Sequence, residues 1–344
     1  MMLLESMMWR YKELRNFDMQ IDAVITWVDS SDEVWRNKIN QYLDKKIDWS
    51  NKKESTRYNS INEVEITILS ILKFAVFIKN IYVVTDNQQP HNFLELKQKA
   101  KDQGVNLELV DHTIIFKDYE HYLPTFNSCS IISMLYRIPN LSDNFVIFND
   151  DTFLMRETKK EDFFIDDKPV IRGRWDSFYE DKFFRNLFLR VKGIFKKNNP
   201  KKTGYKLAQQ KSAKLLGFKK YVRRDHTPVS IKKSGLENYF AENPNFLENN
   251  IKYRFRDNTQ FIISSLSNHI QIKNDDYILD RDFKLSYFQS YNKTSIRLKL
   301  LNFSIDKSKL FMCFQSLETA EKTTQKYILK WIDKKLDSNF ASKV

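Results

Sequence analysis

The 344-residue chain is long enough to bury a full α/β core, and its 42% hydrophobic and 14% aromatic residues exclude disorder from want of core-forming side chains. A formal charge of +13 and a pI near 9.4 call for an anionic partner: nucleic acid, membrane surface, acidic glycan or nucleotide diphosphate. Cys129 and Cys313 lie far apart without a CxxC spacing, which excludes a disulfide framework and a thiolate metal site and suits a reducing cytoplasm.

The first residues, MMLLESMMWRYKELRNF, carry Glu5, Arg10, Lys12, Glu13 and Arg15, which interrupt any apolar run of signal or membrane-spanning length. Residues 21–28, IDAVITWV, read as a buried strand, followed at once by a loop bearing Asp29 and Asp32. Over residues 62–78, Val64, Ile68, Ile71, Leu72 and Ala75 fall at helical spacing behind Asn62, a candidate N-cap. IYVVT at 81–85 and VNLELV at 105–110 are further strands, the first running into Asp86 and a turn at Pro90. A helix is predicted from Asn127 to Tyr136, and FVIF at 145–148 is a strand that ends directly on Asn149, Asp150 and Asp151.

This alternation implies an α/β fold: a mostly parallel sheet with helices on both faces and ligands beyond the carboxyl ends of the strands. Asp29, Asp86 and Asp150 then share one rim. Between Lys192 and Lys220 lie ten lysines and no acid, a helical basic insertion that is either a solvated face or a docking surface for an anionic membrane or glycan. In the final stretch Leu317, Tyr327, Ile328, Trp331 and Ile332 stand at helical spacings and predict a packed closing helix. Neither a GxGxxG nor a GxxxxGK[ST] segment is present, so a metal ion must take the place of a glycine-rich phosphate loop.

Adjacent carboxylates at a strand end suit Mg²⁺, which takes oxygen ligands and is held by one or two carboxylates together with substrate phosphates. An isolated NDD is equally a turn or a helix cap. Its context comes from four segments: IDAVITWVDSSDEVW at 21–35, RYNSINEVEITILSILKFAVFIKNIYVVTDNQQP from Arg57, LPTFNSCSIISMLYRIPNLSDNFVIFNDDTFL at 123–154, and HTP at 226–228 with YRFRDNTQF at 253–261. Taken in order, these resemble the Stealth family of sugar-phosphate transferases. That family includes bacterial capsular polysaccharide phosphotransferases and the alpha/beta subunit of N-acetylglucosamine-1-phosphotransferase. The chain departs from the family pattern at Ser30 (usually Gly), at Glu65 and Leu69 (often basic), at Ile132 and Tyr136 (often Glu and His), and at Gln315 and Ser316 (Asn and Asp).

The resemblance spans roughly 21–316. It implies transfer of a sugar 1-phosphate from a UDP-sugar, an N-acetylhexosamine as the first guess, to a hydroxyl of a glycan acceptor, lipid-linked or free. UMP is released, Mg²⁺ or Mn²⁺ is required and nucleic acid plays no part. The chain divides into an extension 1–20, a catalytic domain 21–316 with the basic insertion 192–220, and a closing helix and tail 317–344. Its implied place is the cytoplasm, touching the inner face of the membrane through 192–220.

Asp150 and Asp151 are assigned jointly to the metal and to base catalysis. His226 is a general base, a donor to phosphate or a structural histidine; Arg254 clamps the migrating phosphoryl or forms a surface ion pair. Asp29, Asp32, Arg57, Asn62, Glu63, Asp86 and Arg256 are candidate nucleotide or sugar contacts, and Arg137 is a ligand or a structural pair. Asn127 and Ser128 open a helix whose free N–H groups could meet phosphate, or simply cap it. Trp27, Phe126 and Phe148 are expected in the core. The nearest rival is a metal-dependent glycosyltransferase releasing UDP; a basic nucleic-acid or membrane-surface binder leaves the acidic segments unexplained.

Overall fold

A computed structural model describes residues 19–51, 63–181 and 204–342. The apolar runs form the predicted strands: β1 (Ile21–Thr26), β2 (Ile78–Thr85), β3 (Asn106–Asp111) and β4 (Asn144–Asn149). Between them lie α1 (Glu33–Asn40), α2 (Glu63–Phe74), α3 (Phe93–Asp102) and α4 (Ser128–Met134). Two of these helices begin on side-chain caps: Asp32 accepts from the Val34 N–H at 2.9 Å, and Asn127 from the Cys129 N–H at 3.1 Å.

In the second half follow β5 (Thr152–Leu154), β6 (Phe164–Ile165), β7 (Lys168–Arg172), β8 (Arg174–Ser177), α5 (Tyr205–Leu215), β9 (Lys220–Arg223) and β10 (Val229–Lys232). After these come α6 (Lys233–Glu242), α7 (Pro244–Ile251), α8 (Ile263–Lys273), β11 (Ile278–Asp280), β12 (Leu285–Phe288), α9 (Lys293–Ile305), β13 (Phe311–Phe314) and α10 (Lys322–Leu336).

The main sheet has the order β10-β4-β1-β2-β3, parallel except for β10, which runs antiparallel to β4. Successive strands step outward from β1 to β3, whereas β4 lies on the other side of β1. The order therefore reverses between β1 and β4, where an α/β sheet opens a crevice at its carboxyl edge.

Strand periodicity assigns each side chain to a face. Ile21, Ala23, Ile25, Ile81, Val83, Val146 and Phe148 pack on one side against Val64, Ile68 and Ile71 of α2 and Leu96 of α3. Val24, Tyr82, Val84, Phe145 and Ile147 pack on the other against α4, α6, α7 and α8. Full burial of one such aliphatic side chain contributes about 1.5–3 kcal/mol, and a slip of one residue would turn every one of them to the wrong face. Trp27, Phe126 and Phe148 are in the core, as expected.

At the amino edge Asp22 is wholly buried and accepts from Asn80 Nδ2 at 2.8 Å and from the Ser142 N–H at 2.8 Å, so one carboxylate ties the starts of β1, β2 and β4. A second sheet, β12-β13-β5, begins just beyond the carboxyl end of β4, and α2 sends side chains into the cores of both sheets.

The closing helix forms as α10, starting at Lys322, and packs Ile328, Leu329 and Ile332 against α9 and the second sheet. Of the lysine-rich stretch, the part before residue 204 lies outside the described residues. The remainder includes α5, a helix packed along one face while Lys206, Lys214, Lys219 and Lys220 of this stretch are exposed. Ala208, Gln209, Ser212 and Ala213 are buried, Ser212 donates to the Ile262 carbonyl at 2.8 Å, and Lys214 is paired with Glu180.

Candidate active site

Asp150 and Asp151 form the turn between β4 and β5, at the carboxyl edge beside the switch from β1 to β4. Their backbone is held from two sides. Thr67, buried one turn into α2, donates to the Asp150 carbonyl at 2.7 Å, and the Phe314 N–H of β13 donates to the Asp151 carbonyl at 3.0 Å. Glu63, at the first position of the same helix, lies one turn from Thr67 and adds its charge to the field at Asp150.

The carboxylates are half-buried, and their electrostatics follow from that. Burial raises the Asp150 pKa well above the carboxylate range, and the charges of Asp151 and Glu63 push it further. Burial also raises Asp151, opposed by hydrogen bonds from Cys313 and Thr152 and, when that ring is protonated, by His226. Among the described residues neither aspartate forms a salt bridge.

His226 reaches these acids because β10 runs the opposite way. Val229 pairs with Ile147, so the residues just before β10 stand at the rim where β4 ends. Its loop is fixed by Gln209 of α5, which accepts from the Arg224 N–H at 2.8 Å and donates to the Arg224 carbonyl at 3.3 Å. The imidazole is stacked between Tyr287 of β12 (5.1 Å, 1° between planes) and Tyr205 of α5 (5.3 Å, 20°). Burial lowers its pKa against the pull of Asp151, so the ring is neutral and able to accept a proton near pH 7.

The last part of the chain supplies residues that the sequence reading assigned no role. Cys313 pairs with Thr152 across β13 and β5, and Tyr287 pairs with Cys313 across β12 and β13, which places a row of side chains behind Asp151. Tyr287 donates to Gln315 Oε1 and Tyr291 donates to the Gln315 carbonyl at 2.7 Å, so the Gln that replaces the family's Asn braces two tyrosines. Glu318 follows two residues after the left-handed Ser316. Its Oε1 is buried without a hydrogen bond, and burial together with the charges of Glu63 and Asp151 raises its pKa to about 7. A strand ending on an acidic turn, FMCFQSLE after FVIFNDD, was the available signal.

The other candidates fall into separate groups. Asp29 accepts from the backbone and hydroxyl of Ser31 at 2.7 and 2.6 Å, and its own N–H donates to Gln88. Asp32 caps α1 and accepts from Gln88 Nε2 at 3.0 Å, and that bond is the main reason its pKa is lowered. Asp86 pairs with Lys38 at 2.6 Å.

Arg254 donates through Nε to the Pro124 carbonyl at 2.8 Å and lies 4.1 Å over the Tyr42 ring; Arg256 donates to Ser128 Oγ at 2.6 Å. Asn127 is sealed from solvent. Its Nδ2 donates to the Tyr253 and Phe255 carbonyls and to Gln260 Oε1, tying α4 to the segment that carries both arginines. Arg137 is apart from all of these: it donates to the Ile115 and Lys117 carbonyls, pairs with Asp118 at 3.3 Å and lines a separate cavity of about 400 Å³. Arg57 and Asn62 lie outside the described residues.

Residues 19–47 match the model described as Stealth protein CR1, conserved region 1, and residues 57–171 match Stealth protein CR2, conserved region 2. The receptor polysaccharide phosphotransferase WefC of Streptococcus oralis is 30% identical over 258 residues, 69% of this chain and 74% of that protein. The capsular polysaccharide phosphotransferase fcs1 of Haemophilus influenzae is 31% identical, covering 71% of this chain and 62% of its own. For cps1A of Actinobacillus pleuropneumoniae, 38% identical, the match spans 42% of this chain and 38% of the relative's length. The chain thus spans well under two thirds of several of the relatives it matches.

Among solved structures, the bifunctional glycosyltransferase WbbM has a TM-score of 0.45 at 13% identity, over 94% of this chain and 50% of that one. The galactosyltransferase LgtC has a TM-score of 0.43 at 11% identity, over 91% and 95%. With both conserved regions present in order and WefC matched over 74% of its length, the chain belongs to the Stealth protein family.

Proposed function

We propose that residues 21–316 form a catalytic unit that transfers a sugar 1-phosphate from a UDP-sugar to a hydroxyl of a glycan acceptor. The products are a phosphodiester and UMP, and the setting is synthesis of a capsular or other cell-surface polysaccharide. The observation that carries this reading is the Asp150–Asp151 turn at the β1–β4 switch: two half-buried carboxylates that repel one another and form no salt bridge among the described residues.

Such a pair fits Mg²⁺ or Mn²⁺. It offers adjacent hard oxygen donors whose mutual repulsion a cation relieves. Among the described residues no three His, Cys, Asp or Glu side chains are placed to enclose an ion, so water and the substrate's own phosphates would complete the coordination. When bound, the ion neutralises the diphosphate and stabilises the charge that develops on it.

The chain's own groups carry the remaining work. His226, kept neutral by burial and fixed between two tyrosine rings, would accept the proton of the attacking hydroxyl, with Asp151 stabilising the imidazolium that results. Arg254 has Nε engaged by a carbonyl and one face on Tyr42, which leaves its terminal amino groups for phosphate oxygens. Asp29 and Asp86 stand on the neighbouring part of the rim, where ribose or sugar hydroxyls would sit, while Asp32 is committed to the α1 cap and Gln88.

The reaction is tested by incubating the protein with a UDP-N-acetylhexosamine, Mg²⁺ and a glycan acceptor and following the products by phosphorus NMR. UMP and a phosphodiester signal are expected. UDP with a glycosidic product would overturn the proposal.

A further inference from the structure

The two C-terminal helices carry outward faces that core packing does not explain. α9 buries Ile296, Leu300 and Phe303, yet its opposite side presents Leu298, Leu301 and Ile305 at 61%, 57% and 68% exposure. Spacings of three and four residues set these on one stripe. A contiguous outward apolar stripe differs from singly scattered surface leucines and marks an interaction site.

The neighbouring helix has the complementary property. Along α10, Lys322, Lys326, Lys330 and Lys334 recur every four residues, all exposed, and none forms a salt bridge among the described residues. The acid within this helix, Asp333, is turned to the chain's end: it accepts from Ser338 Oγ at 2.8 Å and from the N–H groups of Phe340 at 2.7 Å and Ala341 at 2.9 Å. The outer row is left uniformly positive. Lys293 pairs with Glu321 at 3.1 Å, Arg297 lies 5.6 Å over Tyr327, and Phe303 meets Trp331 edge to face at 5.9 Å. The helices are therefore side by side in the same direction, with the apolar stripe on one and the lysine row on the other.

We infer that α9 and α10 form a peripheral docking face for an anionic lipid surface, with Leu298, Leu301 and Ile305 entering the boundary between headgroups and acyl chains and the lysine row meeting lipid phosphates. Apolar residues beside basic ones are what an interfacial helix needs, and the charge selects the partner. A second copy of the same face would bring one lysine row against another. This surface is formed by other residues than α5, and its role does not depend on the transferase activity.

Vesicle co-sedimentation with the full chain tests it. Vesicles of phosphatidylglycerol and phosphatidylcholine should retain the protein, pure phosphatidylcholine should not, and retention should fall as salt shortens the screening length. Changing Leu298, Leu301 and Ile305 together to Ser should weaken binding about 10-fold or more without lowering the melting temperature. Lys326→Glu with Lys330→Glu should abolish the preference for anionic vesicles. No binding by the parent chain, or equal binding by the serine variant, would overturn the inference. So would a concentration-dependent dimer on size exclusion that the serine variant abolishes, since that would assign the face to a second copy.

Discussion

Two sets of aspartates stand on the same edge of one sheet and differ in almost every physical respect. Asp29, Asp32 and Asp86, after β1 and β2, have their carboxylates occupied by Ser31, by the Val34 N–H and Gln88, and by Lys38. Asp150 and Asp151, after β4, have no salt-bridge partner among the described residues, and burial raises both pKa values. Residue type and position on the rim do not separate the two sets, and neither does hydrogen bonding alone, since one buried oxygen of Asp86 is unbonded; what separates them is burial and mutual repulsion at the β4 end against a cation or capping donors after β1 and β2. Where a carboxylate is satisfied it contributes to stability, and where it is not the fold holds electrostatic strain that a cation or a proton can relieve.

The contrast can be broken most directly at the acidic turn. Asp150→Asn with Asp151→Asn should lower turnover by about 10²-fold or more, the scale of losing a principal charge-stabilising group. The melting temperature of the metal-free protein should not fall, because a raised carboxylate pKa means the ionised form opposes folding at neutral pH. A fall of many degrees would show instead that these carboxylates hold the fold together.

Glu318 sharpens the comparison, since its pKa of about 7 stands above the ordinary 4.5. Between those two values the folded state binds a proton that the unfolded state has released, so stability declines as pH rises through that window. Glu318→Gln should remove the decline and leave the variant more stable at pH 8 by about 1 kcal/mol, allowing for solvent screening of a half-exposed group. Thermal melts at pH 5 and pH 8 that differ equally in parent and variant would break the assignment. The smallest effect is expected on the satisfied side: Asp32→Ala should cost about 1 kcal/mol of stability through loss of the α1 cap. Turnover should change little. A large loss of activity at unchanged stability would move Asp32 into the site.

The first half of the molecule was readable because its signals are contiguous. Strands β1, β2 and β4 carry nearly continuous apolar runs and β3 an alternating one, each ending at acids, and α2 and α4 carry helical spacing and, for α4, a recognisable cap. The half of the site nearest Asp151 was not readable in the same way. Cys313, Tyr287 and Glu318 meet it through pairing of β13 with β5 and β12, between 136 and 167 residues on from Asp151, and nothing local in the sequence specifies that pairing. His226 was named from its resemblance, but its position depends on β10 entering the sheet against the direction of its neighbours. Asn127 shows the opposite error. It was legible as a cap, and the cap is real, yet its amide faces inward and binds the backbone around Arg254.

The buried Asp22 at the far end of the sheet bears on motion. By joining Asn80 and the Ser142 N–H, it locks β1, β2 and β4 in register at their amino ends. Sliding of one strand past another would expose a buried charge, so the sheet responds to a ligand as a rigid plate. Any opening and closing of the cleft is confined to the loops and helix starts on the carboxyl edge. Backbone amides near Asp22 should accordingly be among the last to exchange with solvent, while those around residues 150 and 226 report whatever enters the site.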